Sequence, residues 1–246
     1  MQQQEPLQGK VALVFGGSRG IGEAIVRRLA KDGASVALTY ISSSARAAEI
    51  AREAEVNGAQ ALPIRADSAD GDAIKGAVDQ TLERFGRLDI VVVNAGILMR
   101  GAIDAFSLAD FDKMVAINVR GVFAALHFAA PHLPAGGRII TIGSNTAIRT
   151  GFAGSSIYSM TKAAVAVLVR GVAIDLAPRS ITVNNVQPGP TVTDMTARQV
   201  DLVKPLIPLG RLGEPAEIAG LVAYLASDEA GFMTGASLTV DGGYVA

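Results

Sequence analysis

Tyr158 and Lys162 stand four residues apart in Tyr158-Ser-Met-Thr-Lys162, and on a helix that interval puts both side chains on one face. A phenol of ordinary pKa near 10 exchanges protons poorly at neutral pH, and an adjacent positive charge favours the phenolate. The pair has the makings of a proton-transfer device. On an ordinary helix, though, the same spacing leaves the phenol at an interface and the ammonium in water. A second suggestive stretch is Gly16-Gly-Ser-Arg-Gly-Ile-Gly22. Glycines let a backbone turn sharply and approach a pyrophosphate, whose charge a helix N-terminus stabilises. A plain strand-to-helix connection can carry the same composition.

These residues need elements to hold them. Short apolar, β-branched runs alternate with helical segments along the chain, which predicts a parallel sheet covered on both faces. Strands read at 11–15, 35–39, 61–65, 90–93, 138–142, 182–186 and 237–240, with helices at 21–32 and near 45–57, 70–85, 108–132, 156–177 and 215–226. The fold class is α/β: a single doubly wound (Rossmann) domain over 1–246, with a seven-stranded parallel sheet and helices on both faces. No linker or solenoid repeat divides it. In this frame the glycine loop joins the first strand to the first helix, and Gly33 suits the left-handed position that ends that helix. Ser144 follows the strand 138–142, at the end of the sheet where such folds expose functional loops; taken alone it is an ordinary loop serine. Asn118 lies inside the helix 108–132, where Asn is unfavourable and marks a bend or a polar contact.

Composition excludes several classes of function. The net charge of -1, with 18% charged residues and no basic run, offers no footprint for nucleic acid or an anionic membrane surface. With no Cys and only His127 and His132, disulfides, thiolate chemistry and a metal site are not expected. The segment 1–5 lacks a secretory pattern. The apolar run 163–169 falls far short of the roughly 20 residues that span a bilayer and reads as a buried helix. A cytoplasmic location is expected.

The glycine loop is spaced Gly-x-x-x-Gly-x-Gly. Together with Asn94-Ala-Gly96, Asn118, Ser144, the Tyr158–Lys162 pair, Pro188-Gly189, Pro208-Leu-Gly-Arg-Leu-Gly213 and Asp241-Gly-Gly243, it makes the chain resemble the short-chain dehydrogenase/reductase family, in its 3-oxoacyl-carrier-protein reductase-like branch, over nearly the whole length. The resemblance implies that Tyr158 protonates a carbonyl oxygen as hydride arrives from a nicotinamide and that Ser144 hydrogen-bonds the same oxygen. It further implies that Lys162 holds the ribose hydroxyls and that Asn118 completes a proton relay through water. Cofactor contacts are implied for Gly16, Ser18, Gly20, Ile21 and Gly22 of the loop, for Tyr40 after the second strand, and for Asn94, Ala95 and Gly96 beside the nicotinamide ribose. Tyr158 and Lys162 also belong to that set, as do Pro188, Gly189, Thr191 and Thr193 toward the carboxamide. Asp67 and Ser68 look like an adenine-contacting pair, although Asp67 alone reads equally as a turn residue.

The cofactor is expected to be NADPH. The stretch Thr39-Tyr-Ile-Ser-Ser-Ser44 has no carboxylate where an NAD enzyme places one, while Arg19, Ser42 and Ser43 can hydrogen-bond a 2′-phosphate. Phe15 and Val93 replace polar residues of relatives, and because the first and fourth strands are neighbours in such folds, they are expected to touch. Gln187 departs from a commoner small residue. The loop 145–156 is about one residue longer than in close relatives. The segment 190–210 resembles a mobile substrate cover, in which 194–206 reads alternatively as an amphipathic surface helix. Met195, Ile97 and Leu98 are expected near a cleft for a small apolar or amphipathic ketone.

The expected activity is reversible reduction of a ketone to a secondary alcohol, with an NAD-dependent alcohol dehydrogenase and a non-catalytic nucleotide-binding regulator as alternatives. Apolar surface at 163–169 and 123–128 implies partner helices, and the resemblance points to a homotetramer. Both helices buried within the monomer is the alternative.

Overall fold

The computed structural model describes residues 5–56, 58–197 and 199–246. Seven strands form one parallel sheet: β1 (Val11–Phe15), β2 (Ser35–Tyr40), β3 (Ala61–Arg65), β4 (Ile90–Val93), β5 (Arg138–Ile142), β6 (Thr182–Pro188) and β7 (Ser237–Val240), in the order β3-β2-β1-β4-β5-β6-β7. The expected strands all appear, with β6 two residues longer than its sequence pattern suggested. Side chains alternate between faces. Ala12 and Val14 therefore join one apolar layer with Ile25, Leu29, Ile50 and Val222, and Leu13 and Phe15 join the opposite layer with Ile74, Leu126, Val165 and Val169. Burial on both faces explains why these strands read as continuous apolar runs.

The covering helices are α1 (Gly20–Lys31), α2 (Ser44–Val56), α3 (Gly71–Phe85), α4 (Leu108–Val115), α5 (Gly121–Ala129), α6 (Ser156–Leu176), the single turn α7 (Val200–Val203) and α8 (Pro215–Ala226). Local chemistry sets their ends. Asp70 caps α3 through the Asp72 amide at 2.9 Å, and Gly86 closes it at φ 75°. Glu214 and Glu217 make a reciprocal box at the start of α8. Gly33, at φ 99°, takes the left-handed position expected after α1.

The segment 108–132 is not one helix. A π turn at Ala116–Arg120 separates α4 from α5, and a 3-10 turn follows at Ala130–His132. Gly121 explains the close approach that follows the bulge, because a Cβ there would sit 2.1 Å from the Ser68 carbonyl oxygen. Two helical stretches, Leu108–His132 and Ser156–Arg179, are long and apolar enough to cross a membrane by length and composition. In this fold they pack on the sheet, with Val122, Leu126, Val165 and Val169 in its core. The run 163–169 is buried only in part, since Val167 is 62% exposed.

The chain winds outward from β1 to β3, then returns to lay β4 on the other side of β1. The C-terminal ends of β1 and β4 border the crevice made by this reversal, where α/β sheets present their ligands.

Candidate active site

The glycine loop leaves β1 at that crevice. The Gly16 amide donates to Thr39 Oγ1 at 2.9 Å, and Asn94 Nδ2 donates to the Gly16 carbonyl at 2.7 Å. The third glycine has a steric reason: a Cβ on Gly22 would lie 2.0 Å from Gly16 O and 2.5 Å from Asn94 Nδ2. Arg19, the residue before α1, makes no side-chain cap, so the helix N-terminus presents its first-turn amides without an internal acceptor side chain. That is the donor arrangement a phosphate requires, and the loop fits the pyrophosphate of a dinucleotide.

Phe15 and Val93 are register partners on β1 and β4, both buried in the same apolar layer. The expected contact between strands under the site is therefore present as an apolar one. Gln187, buried on β6, accepts a hydrogen bond from Thr239 of β7 at 3.2 Å and ties the two strands together.

One cleft gathers Ser144, Tyr158 and Lys162 with Ile21, Asn94 and Gly96, and with Pro188 at the end of β6 and Gly189, Thr191 and Thr193 just beyond it. The π turn supports it from behind. Asn118 accepts from the Ile97 amide, donates to the Ile97 carbonyl, both at 2.9 Å, and donates to Thr161 Oγ1 at 3.1 Å. Its side chain is thus engaged with Ile97 and Thr161. Asn118 sits in the π turn Ala116–Arg120, the bend and polar contact that an Asn inside this helical segment suggested. Gly96 completes this wall, where a Cβ would meet Asn118 Oδ1 and Lys162 Nζ at 3.3 Å each.

Lys162 is buried, and its ammonium donates to the Ile142 carbonyl at 3.0 Å; burial lowers its pKa to about 8. Tyr158 moves the other way. Burial pushes its phenol up to about 12, against smaller opposing effects of a hydrogen bond with Ser144 and the charge of Arg100. Lys162 Nζ lies 5.7 Å from the ring centroid, and desolvation is the largest effect on the phenol; the pull toward phenolate is expected from Lys162 together with an oxidised nicotinamide. The upward shift favours the protonated phenol.

Ser144 is fixed by the residue two places on, since its Oγ accepts from the Thr146 amide at 3.2 Å and from Thr146 Oγ1 at 2.9 Å. Asn145 reaches Asp241 at 3.2 Å, and Asp241 also accepts from the Gly243 and Val245 amides. The C-terminal segment is thereby folded onto the loop that follows β5, and Tyr244 lines the cleft. Sequence reading missed Thr146, Thr161, Phe152, Gln199 and Tyr244, and weighed Arg100 only as part of a basic cluster that it does not make with Arg120. Only their closeness to marked residues along the chain, for Thr146 and Thr161, offered a signal.

The remaining expectations divide. Leu98 and Met195 line the cleft, whereas Ile97 contributes its backbone clamp and is not in the lining. Arg19, Tyr40, Ser42, Ser43, Asp67 and Ser68 do not line the cleft. Tyr40 ends β2, Ser42 and Ser43 follow it, and Asp67 and Ser68 follow β3, whereas the Arg19 guanidinium lies 4.0 Å from Asp194, in the segment after β6. Arg19 and Ser42 are exposed, and Ser68 is buried. Asp67 accepts from the Ala69 amide at 2.8 Å, the turn contact foreseen for it. The segment 194–206 is not a continuous amphipathic helix. Around Arg198, which lies outside the described residues, it consists of turns, α7 and a 3-10 turn at Lys204–Leu206, with Val203 buried against Phe152 and Tyr244. Among the described residues no cluster of three or more His, Asp or Glu side chains could hold a metal ion.

Comparison with known proteins follows this geometry. A family model described as "Enoyl-(Acyl carrier protein) reductase" matches residues 16–245. The Escherichia coli K12 "Cyclic-di-GMP-binding biofilm dispersal mediator protein" is 44% identical, covering 96% of this chain and 97% of its own. A versicolorin reductase of Emericella nidulans is 42% identical, covering 96% of each. The solved structure of a short-chain dehydrogenase from Burkholderia cenocepacia J2315 in complex with NADP is 46% identical, covers 98% of this chain and 100% of its own, and superposes with a TM-score of 0.96.

Proposed function

The chain belongs to the short-chain dehydrogenase/reductase family, and on that premise we propose that it is an NADPH-dependent carbonyl reductase, reversibly converting a ketone into a secondary alcohol. The observation that carries the reading is the meeting of Ser144, Tyr158 and Lys162 in the cleft beside the uncapped glycine loop. NADPH, when bound, supplies the hydride. Ser144 hydrogen-bonds and orients the substrate oxygen. Tyr158 gives that oxygen its proton, and a phenol held at about 12 is present as the donor throughout the neutral range. Lys162 holds the ribose hydroxyls, Gly16 to Gly22 the pyrophosphate, and Asn118 keeps the wall containing Ile97 in place.

Support for NADPH comes from the missing carboxylate at the end of β2, from Arg19, exposed on the loop, and from the NADP complex of the Burkholderia relative. The segment 190–210 serves as substrate cover, since Thr191, Thr193, Met195, Thr196, Gln199 and Val203 all face the cleft. A homotetramer is favoured by Met160, Val167 and Ile174 on α6, exposed at a seven-residue interval, with Phe123 exposed on α5.

The test is Tyr158→Phe. It is expected to lower kcat/KM for ketone reduction by roughly 10²–10⁴-fold, the range for a lost general acid, while NADPH affinity stays within about threefold. Near-wild-type turnover overturns the mechanism. A nucleotide-binding regulator is the second reading, favoured by the name of the E. coli relative. Consumption of NADPH with any member of a ketone panel decides against it.

A further inference from the structure

The substrate end of the cleft has an electrostatic character that the ketone chemistry does not require. Among the described residues its lining holds two cations, Lys162 and Arg100, and no aspartate or glutamate. Lys162 already donates to the Ile142 carbonyl inside the site. Arg100 makes no hydrogen bond or ion pair among the described residues; its guanidinium stacks on Phe152, 5.3 Å from the ring centroid. Phe152 lines the same cleft.

Arg100 is also held in place. The loop that carries it is clamped at Ile97 by Asn118 and at Gly101, whose amide donates to the Gly154 carbonyl at 3.1 Å. Stacking on Phe152 removes further side-chain freedom, so a partner meets a guanidinium that is already placed. Arg149 offers a contrast at the C-terminal wall. It stacks on Tyr244 at 5.6 Å but donates to the Tyr244 carbonyl at 3.1 Å, so it is bound into the wall, and it does not line the cleft. Among the described residues of the lining, Arg100 alone has a free planar fork of donors, the geometry that pairs with a carboxylate or phosphate.

We propose that Arg100 is a specificity residue that selects ketones carrying an anionic group, with an apolar or aromatic body packed on Leu98, Phe152 and Tyr244 between that group and the carbonyl. The inference rests on the reductase reading and deepens it. Arg100 also acts electrostatically on Tyr158, so its removal affects the proton step for every substrate. The diagnostic quantity is therefore a ratio between two substrates that differ only in charge.

The probes are 4-acetylbenzoate and its methyl ester, assayed with NADPH on the full chain. Wild type is expected to prefer the acid in kcat/KM by roughly tenfold or more, the value of a charge-assisted hydrogen bond. Arg100→Gln is expected to abolish that preference, and Arg100→Lys to restore part of it. In parallel, calorimetry on the enzyme saturated with NADP+ measures binding of each probe without turnover, with tighter binding of the acid expected in wild type only. An ester used or bound as well as the acid, or equal losses for both in Arg100→Gln, overturns the proposal. Absence of turnover with both probes and with a wider ketone panel overturns the reductase reading instead, and calorimetry then still decides the role of Arg100.

Discussion

Lys162 lets the energetics of the site be measured separately from its chemistry. Burial takes its pKa from the ordinary 10.5 to about 8. At about 1.4 kcal/mol per pH unit, that gap means that keeping the ammonium charged in the folded protein costs about 3 kcal/mol. The sign follows from proton counting. Below pH 8 folded and unfolded chains both hold the proton, and the full cost is present. Between 8 and 10.5 the folded protein releases it while the unfolded chain keeps it, so stability climbs with pH. Lys162→Met removes this dependence. It also leaves the Ile142 carbonyl, now bonded at 3.0 Å, without its donor, an opposing loss of about 1–3 kcal/mol that does not change with pH. The difference between the two proteins is therefore best compared at two pH values. From about pH 7 to about pH 9.5, wild type should gain about 2 kcal/mol on Lys162→Met, or roughly 4–8 °C in Tm for a chain of this size. Thermal and urea denaturation of the cofactor-free protein test this, and the four tyrosines, which begin to titrate near the upper pH, are common to both proteins and drop out of the difference. Parallel stability curves would refute the claim that desolvation governs Lys162.

Other substitutions address neighbouring links. Gly22→Ala forces a methyl group to 2.0 Å from Gly16 O; a Tm lowered by several degrees and a loss of NADPH binding by fluorescence titration are expected, and wild-type values for both would contradict the packing role. Asn118→Ala frees the Ile97 backbone groups, with an expected cost of about 1–3 kcal/mol in urea denaturation and a fall in kcat; loss of kcat with unchanged stability would instead point to direct chemistry. Arg19→Ala should reduce the NADPH-to-NADH ratio of kcat/KM by about tenfold, and an unchanged ratio removes Arg19 from the 2′-phosphate site. Sedimentation should give about four times the chain mass of 25.3 kDa; a mass of 25.3 kDa rules out the tetramer.

Patterns that depend on near neighbours could be read from the chain. Alternating apolar runs determined the strands, because a parallel sheet buried on both faces admits little else. The positions of Gly16, Gly22 and Gly33 announced tight turns for reasons of backbone sterics, and the i,i+4 spacing of Tyr158 and Lys162 placed them on one helix face. Even the contact of Phe15 with Val93 was legible, since topology alone sets those strands side by side.

What tertiary structure decided depends on burial and on contacts between distant segments. Tyr158 and Lys162 read as a charge-coupled pair in sequence, yet each is governed by its own desolvation, a property of surroundings that spacing does not encode. Asn118 was marked as a bend, but its partner Ile97 lies 21 residues away, so its work as a clamp emerged only on folding. Tyr244 reaches the cleft because Asp241 binds Asn145 across 96 residues. Arg100 became a candidate selector only when Phe152 closed beneath it. Local sterics wrote the framework into the chain; the dielectric and the partners of each site residue belong to the assembled fold.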